Sequence, residues 1–413
     1  SNLSRCSYSE PFSRDDAMMR RILFCMAGVF LATSVQATLL PQSISLPPLR
    51  YSAQAWAPND TAGSQSGSSL LAMSGLTPWG AIRTYIVKID PNPLDGSVSR
   101  QIIDSTSIPG VTHGALDWAD YDRDGDLDLA IAGRIVSEVD TLNETSTTTA
   151  VYRQIVDQAT GNFLGFDPEP NFPDPFYGDP RDFGVDYASI QWVDFNVDGY
   201  VDLMVSGRDR QASTNAVTKR LEVRGPSALH MFENEFRNGS HIFTPDNGFF
   251  SRINQVERVQ KGSFDWGDMD NDGDPDLVIS GVKIFNLQGG ATFQDTVTAI
   301  YVNDPPGTID PDPRVSKIGM PGFHQAGVAW GDFTNDGALD VAITGREPNQ
   351  DGGNIKLKVY QNLGRRNQAL FNELETISLD QGHAIAGDIE WIDLDNDGFV
   401  DLVGMGEAAT GSD

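Results

Sequence analysis

Five apolar runs of four residues, each closed by glycine, recur along the chain: Leu129-Ala-Ile-Ala-Gly133, Leu203-Met-Val-Ser-Gly207, Leu277-Val-Ile-Ser-Gly281, Val341-Ala-Ile-Thr-Gly345 and Leu402-Val-Gly-Met-Gly406. They are short and rich in β-branched residues, which predicts buried strands rather than helices. Elsewhere the pattern alternates, as in Ile355-Lys-Leu-Lys-Val-Tyr, where every second residue is apolar and one face of a strand would be buried. Tyrosine- or phenylalanine-bearing segments of this kind (Thr84-Tyr-Ile-Val-Lys, Val151-Tyr-Arg, His230-Met-Phe-Glu-Asn, Ile300-Tyr-Val-Asn, Val359-Tyr-Gln-Asn) fall between the glycine-closed runs. The whole pattern is that of an all-β protein.

A polar block stands directly before each run and has the form Trp-x-Asp-x-Asp/Asn/Thr-x-Asp-Gly-x-x-Asp. Its tryptophans (Trp118, Trp192, Trp266, Trp330, Trp391) are separated by 74, 74, 64 and 61 residues, so the chain is an array of one repeated unit. Counting from the first aspartate, oxygen-bearing side chains fall at positions 1, 3, 5 and 9. They are Asp120, Asp122, Asp124 and Asp128 in the first loop, and Asp194, Asn196, Asp198 and Asp202 in the second. The third has Asp268, Asp270, Asp272 and Asp276, the fourth Asp332, Thr334, Asp336 and Asp340, and the fifth Asp393, Asp395, Asp397 and Asp401. Position 6 is glycine in every copy, as a chain wrapping a cation requires. Position 7 varies freely (Asp126, Tyr200, Asp274, Ala338, Phe399), which suits a residue that contributes its backbone carbonyl. Hard oxygen donors without cysteine or histidine point to Ca²⁺, at about five sites, over zinc, copper or Mg²⁺. The fourth site, with a neutral hydroxyl at Thr334, is expected to be the weakest, and the Asn196 site the next.

An EF-hand has similar early spacing but closes on a glutamate at position 12 between two helices. Here position 12 is Ile131, Val205, Ile279, Ile343 or Gly404, and the flanks read as strands. A degenerate copy precedes the five: Trp56 lies 62 residues before Trp118, and Leu70-Leu-Ala-Met-Ser-Gly has the usual run, but residues 59–69 lack the aspartate spacing.

These segments resemble FG-GAP repeats, also described as VCBS-type repeats, the calcium-loop units of integrin α-subunit heads and many bacterial surface proteins. The resemblance runs from about Tyr51 to the last residue. It implies a β-propeller of four-stranded blades, with six repeats visible, calcium loops in five of them and seven blades in the full protein. The Tyr-bearing segments resemble that family's outer-strand Leu-Tyr-x-Asn signature. The last blade lacks outer strands of its own unless N-terminal strands complete it.

Charge and cysteine content refine this picture. The formal net charge is −29, and the motif loops hold 20 of the 58 acidic residues. Five Ca²⁺ would add ten positive charges, giving −19, so the surface stays acidic and offers no electrostatic basis for binding nucleic acid or an anionic membrane. Both cysteines, Cys6 and Cys25, lie in an N-terminal leader, 1–37. Within it, 18–37 reads as a secretory signal peptide: Arg20 and Arg21, an apolar Ile22–Val35 and a Val35-Gln36-Ala37 cleavage site. The expectation is a secreted or cell-surface chain with 38–50 as a Pro-rich lead-in (including a candidate strand at 43–46), then repeats over 51–413. Without cysteines the exported chain would rely on packing and metal for stability.

No nucleophile elbow, zinc-protease helix or phosphate loop occurs. His113, His324 and His383 precede motif tryptophans at different offsets, and the tryptophans read as packing between repeats. The residues 167–186, rich in Pro, Phe, Tyr and Asp, read as an ordered surface insertion, with contact to a ligand as the sharper alternative. The function expected is a calcium-binding adhesion module for an extracellular protein or polysaccharide ligand. The alternatives are a calcium-dependent polysaccharide lyase or hydrolase, or an architectural segment of a larger surface protein.

Overall fold

The structure is a computed structural model. It describes residues 7–9, 22–25, 49–57, 69–91, 98–135, 147–157, 159–160, 162–173, 183–209, 212–214, 221–223, 226–245, 256–286, 292–304, 306, 309–311, 320–348, 355–364, 371–378, 384–386, 389–393, 398–405 and 407–408. Among these there is no helix, and so none long and apolar enough to cross a membrane. Most strands form antiparallel sheets of four built from consecutive segments, while Ala212–Thr214 with Leu221–Val223 and Ala384–Ala386 with Glu407–Ala408 form two separate pairs. They divide between two compact units, one comprising 46–252 with 284–293, the other 1–45, 253–283 and 294–413.

Among the described residues the first unit holds three four-stranded sheets. The first sheet runs Arg50–Trp56, Ser69–Leu76, Ile82–Pro91, Val98–Asp104, and the second Thr112–Ala119, Asp128–Arg134, Thr147–Val156, Phe163–Pro168. The third runs Val185–Val193, Asp202–Asp209, Ser227–Arg237, Ser240–Pro245, and a single pair, Val185 with Thr148, joins it to the second. The second unit holds most of the fourth sheet (Gln260–Gly267, Asp276–Asn286, Thr292–Asn303, Ile309–Pro311; 284–286 and 292–293 are assigned to the first unit) and the fifth (His324–Gly331, Asp340–Arg346, Ile355–Asn362, Phe371–Ser378). The sixth begins with Ile389–Ile392 against Asp401–Met405. It is completed from the other end of the chain: Ile22–Cys25 lies parallel to Asp401–Met405, and Ser7–Ser9 pairs with Ile22–Cys25. The apolar Ile-Leu-Phe of the expected leader thus pairs with an otherwise open sheet edge. The candidate strand at 43–46 lies outside the described residues.

The glycine-closed runs are the second strand of each sheet and supply its core. Leu129, Ala130, Ile131 and Ala132 are fully buried, as are Leu277, Val278 and Ile279. The glycine that ends the run has a steric cause. In five sheets the first strand carries a register shift near its start, between Arg50 and Ala53, Thr112 and Ala115, Asp186 and Ser189, Gln260 and Ser263, and His324 and Gly327. In four of them a residue of this bulge takes the left-handed conformation: His113, Tyr187, Lys261 and Gln325, with φ from 49° to 54°. The bulged backbone presses on the second strand, so a Cβ on Gly133 would come within 2.7 Å of the Gly114 Cα. His113 occupies that bulge position while His324 stands one residue before it, so the two have different places; His383 lies outside the described residues.

Tryptophans tie neighbouring sheets together within each unit. The indole N–H of Trp118 donates to the Ala55 carbonyl at 3.1 Å, that of Trp192 to Asp117 at 3.3 Å and that of Trp391 to Ala329 at 3.3 Å. The Asp117 carboxylate also accepts the backbone N–H groups of both Trp118 and Trp192, at 2.9 and 2.8 Å. At the bulge end, the buried Asp186 takes Arg134 of the second sheet at 2.5 Å and Arg208 of its own sheet through two bonds, one of them 2.7 Å. An unpaired charge there would be costly, so the two arginines hold the sheets in one arrangement.

Candidate metal centre

Each aspartate block is the turn between the first and second strands of a sheet, and its residues alternate in burial. Position 2 points into the core: Tyr121, Phe195, Met269 and Phe333 are all buried. Positions 1 and 3 are half-buried in the first four loops, position 5 is exposed, and position 9, the first residue of the second strand, is buried. This puts the oxygen atoms on one side of a tight turn. Asp120, Asp122 and Asp124 each offer a carboxylate oxygen within 4.8 Å of one another, and so do Asp268, Asp270 and Asp276.

Two backbone features close the turn. The position-4 residue adopts the left-handed conformation in four loops (Arg123, Val197, Asn271, Asn335; φ 55° to 59°). The position-6 glycine has φ between 87° and 101° in all five, with open space around it in four, so its conformation and not its size is what demands glycine. Its N–H then donates to the position-1 carboxylate: Gly125 to Asp120 at 3.2 Å, Gly199 to Asp194 at 2.8 Å, Gly273 to Asp268 at 3.0 Å, Gly337 to Asp332 and Gly398 to Asp393 at 2.9 Å. The position-7 N–H donates to the position-5 carboxylate, as with Tyr200 to Asp198 at 2.9 Å and Ala338 to Asp336 at 3.1 Å.

Position 9 locks the loop to the sheet. One oxygen accepts the backbone N–H of a third-strand residue: Gln154 to Asp128 (2.9 Å), Asn234 to Asp202 (2.7 Å), Asn303 to Asp276 (2.9 Å) and Asn362 to Asp340 (2.8 Å). The second oxygen has two different fates. In the third and fourth loops it accepts a loop N–H, Met269 to Asp276 at 3.0 Å and Thr334 to Asp340 at 2.8 Å. In the first and second, Oδ2 of the fully buried Asp128 and Asp202 has no hydrogen-bond partner among the described residues.

Such burial of like charges raises carboxylate pKa values. Burial, opposed by the Gln154 N–H and reinforced by Asp122, Asp126 and Asp124, pushes Asp128 up to about 9. Burial does the same to Asp202, up to about 9, with Asp198, Glu233 and Asp194 adding to it. Asp126, Asp274 and Asp276 are pushed up to about 7, again chiefly by burial, and Asp122, Asp194 and Asp340 also move up. A divalent cation would fit this donor set: it would supply the partner that the second oxygens of Asp128 and Asp202 lack and positive charge beside the clustered carboxylates.

Some features go beyond the sequence expectation. The position-7 side chains of Asp126 and Asp274 are themselves buried, so these carboxylates add charge beside the four expected donors. In the second loop, where Asn196 replaces an aspartate, its amide donates to Glu233 of the third strand at 3.3 Å, which brings in a carboxylate the motif does not contain. The Tyr121 hydroxyl donates to Glu169 at 2.5 Å, and Phe172 packs in the same core, so the start of the 167–186 insertion is anchored beneath the first loop. Residues 174–182 of that insertion lie outside the described residues, as do Asp395 and Asp397 of the fifth loop; Asp401 is buried at its position 9. The large apolar residue at position 2, and the asparagine ending three of the Tyr- or Phe-bearing segments, were the visible signals for these anchors.

Residues 332–404, which span the fourth loop through most of the Asp401–Met405 strand, match the FG-GAP-like repeat family. That segment is an FG-GAP-type repeat. The other aspartate loops share the same turn, carried on the same pair of strands. Among curated proteins none matches the chain. Among solved structures it is similar to a chain of the cryo-EM structure of RAG in complex with one melted RSS and one unmelted RSS. The identity there is 12%, the coverage 85% of this chain and 83% of that one, and the TM-score 0.33.

Proposed function

We propose that this chain is a calcium-braced β-propeller acting as a binding or adhesion module of an exported protein, with an extracellular protein or polysaccharide as ligand. The observation that carries the calcium reading is the position-9 aspartate. It is fully buried in four loops, fixed by a third-strand N–H, and in the first two has an oxygen with no partner. Asp120, Asp122, Asp124, Asp126 and Asp128 would hold the first ion, and the corresponding residues of the other loops the rest. The ion would offset the charge that burial makes costly, so its role is to brace the turn between two core strands. The FG-GAP repeat supports an extracellular module, and the acidic surface favours a ligand held through bridging calcium or neutral groups over a polyanion.

Thermal melting of residues 38–413 in millimolar calcium and in chelator, with bound-metal analysis, tests this reading. Four or five calcium ions per chain and a clear upward shift are expected; a chain that melts identically in both and carries no calcium refutes it. At a hundredfold excess over its dissociation constant, each site would add about 2.7 kcal/mol. A panel of polysaccharides and matrix proteins, scored for both retention and breakdown, tests the ligand class and separates binding from hydrolysis or lyase action. Cleavage near Ala37 would remove Ile22–Cys25 from the sixth sheet, so N-terminal sequencing of the exported chain decides whether that segment serves as leader or strand.

A further inference from the structure

The third and fourth loops, both in the second compact unit, are joined by two hydrogen-bonded paths. Asn362 forms the first. Its backbone N–H holds Asp340 of the fourth loop at 2.8 Å, while its side-chain amide donates to the Met269 carbonyl of the third loop at 2.7 Å. Asn362 is buried. The second path is on the surface: the side-chain amide of Asn271, position 4 of the third loop, donates to the Gly337 carbonyl of the fourth at 2.9 Å.

The peptide group that Asn271 grips is a sensitive one. Its oxygen belongs to Gly337, and its N–H is that of Ala338, which donates to the Asp336 carboxylate at 3.1 Å. Asn271 therefore fixes one end of a rigid amide whose other end aims a proposed cation ligand. Asn271 in turn lies between Asp270 and Asp272, two donors of the third loop, and is held left-handed at φ 59°. A cation in the third loop would hold Asn271 in the position that organises the fourth.

The arrangement recurs. Asn335 of the fourth loop donates to the Gly398 carbonyl of the fifth at 3.4 Å. In the first unit, Asn234 repeats the buried path, holding Asp202 at 2.7 Å and the Tyr121 carbonyl at 3.1 Å. Its surface path differs, because position 4 is Arg123, whose guanidinium lies over the Tyr200 ring at 4.5 Å. Position 4 of the second loop is Val197, which has no donor.

We propose that neighbouring cation loops fill cooperatively, with Asn271 as the positioning residue that couples the third loop to the fourth. This rests on the calcium reading above. By reciprocity, filling the fourth loop must strengthen the third by the same factor. A single hydrogen bond of ordinary strength makes the coupling roughly threefold to tenfold in affinity.

The test is a calorimetric calcium titration of the full chain as a double-mutant cycle, with the fourth-loop phase identified as the one that Asp332→Asn removes. Asn271→Gly keeps the left-handed turn and deletes only the amide, and Asp268→Asn disables the third loop. Each alone should weaken the fourth-loop phase by roughly threefold to tenfold, the size of one hydrogen bond, and the double variant should be no weaker than either. Unchanged fourth-loop affinity in Asn271→Gly, or losses that simply add in the double variant, overturns the coupling while leaving calcium binding intact. A wild-type chain that takes up no calcium instead brings down the calcium reading and this inference together, an outcome distinct from the first.

Discussion

The first and fourth loops share one spacing and use its last residue differently. In the first, Asp128 has one oxygen on the Gln154 N–H and the other buried without a partner, amid Asp122, Asp124 and Asp126. In the fourth, both oxygens of Asp340 are taken, by the N–H groups of Asn362 and Thr334, and position 3 is a neutral threonine. The protein's own backbone meets in the fourth loop part of the need left open in the first. The same motif therefore ranges from a loop that is electrostatically strained to one that is largely self-satisfied.

The largest test of this contrast is to neutralise the two position-9 aspartates separately. Asp340→Asn cannot accept from both N–H groups with its two side-chain atoms, so it should destabilise the chain by about 1–3 kcal/mol with calcium or in chelator. Asp128→Asn keeps an oxygen for Gln154 and removes a buried charge. It should melt no lower than wild type in chelator, while losing part of the upward shift in calcium. Denaturation of both variants in both conditions reads this out, and equal losses in chelator would erase the distinction.

The pH dependence is the next largest effect. Asp128 is pushed up to about 9, against about 3.9 for an unfolded aspartate. A raised folded value means that the metal-free fold has its full share of stability from this group below about pH 4, and loses it as pH rises towards 9. Calcium requires the ionised carboxylate and so gains over the same interval. The calcium-induced rise in melting temperature should grow between pH 5.5 and 8.5, and Asp128→Asn should flatten that growth more than Asp340→Asn. A rise that is constant with pH in the wild type counts against the burial account.

The smallest effect is one the two loops should share. Gly125 and Gly337 have φ of 96° and 87°, and nothing lies within 4 Å of where a Cβ would go. Replacing either by alanine should cost about 1 kcal/mol, from backbone conformation alone. Near-equal losses on chemical denaturation in chelator would show that the loops differ in their oxygens and not in their turn. A much larger loss at one of them would place the difference in the backbone.

Much of this was legible in the sequence because the repeat displays it several times over. The strand after each loop, the glycine at position 6 and the tryptophan contacts between sheets follow from local pattern, and the structure agrees with them. The bulge opposite each run-closing glycine was not legible, since it depends on how close two backbones approach. Neither was the role of Asn234 and Asn362, which bond to a neighbouring loop 113 and 93 residues away in the chain. The first sheet makes the same point from the other side. Its strands and bulge match those of the second without any aspartate spacing between Trp56 and Ser69, so the apolar runs suffice to form the sheet.

By itself the sequence determined the unit: a tight oxygen-rich turn joining two strands, repeated, with an all-β fold as the consequence. These properties are local, set by glycine conformation, side-chain period and the chemistry of aspartate. The tertiary structure alone decided which carboxylate oxygens are paired, which carboxylates burial pushes up, and which loop touches the next. Those depend on atoms brought together from distant parts of the chain, and the energy of a buried charge is set by all its neighbours at once.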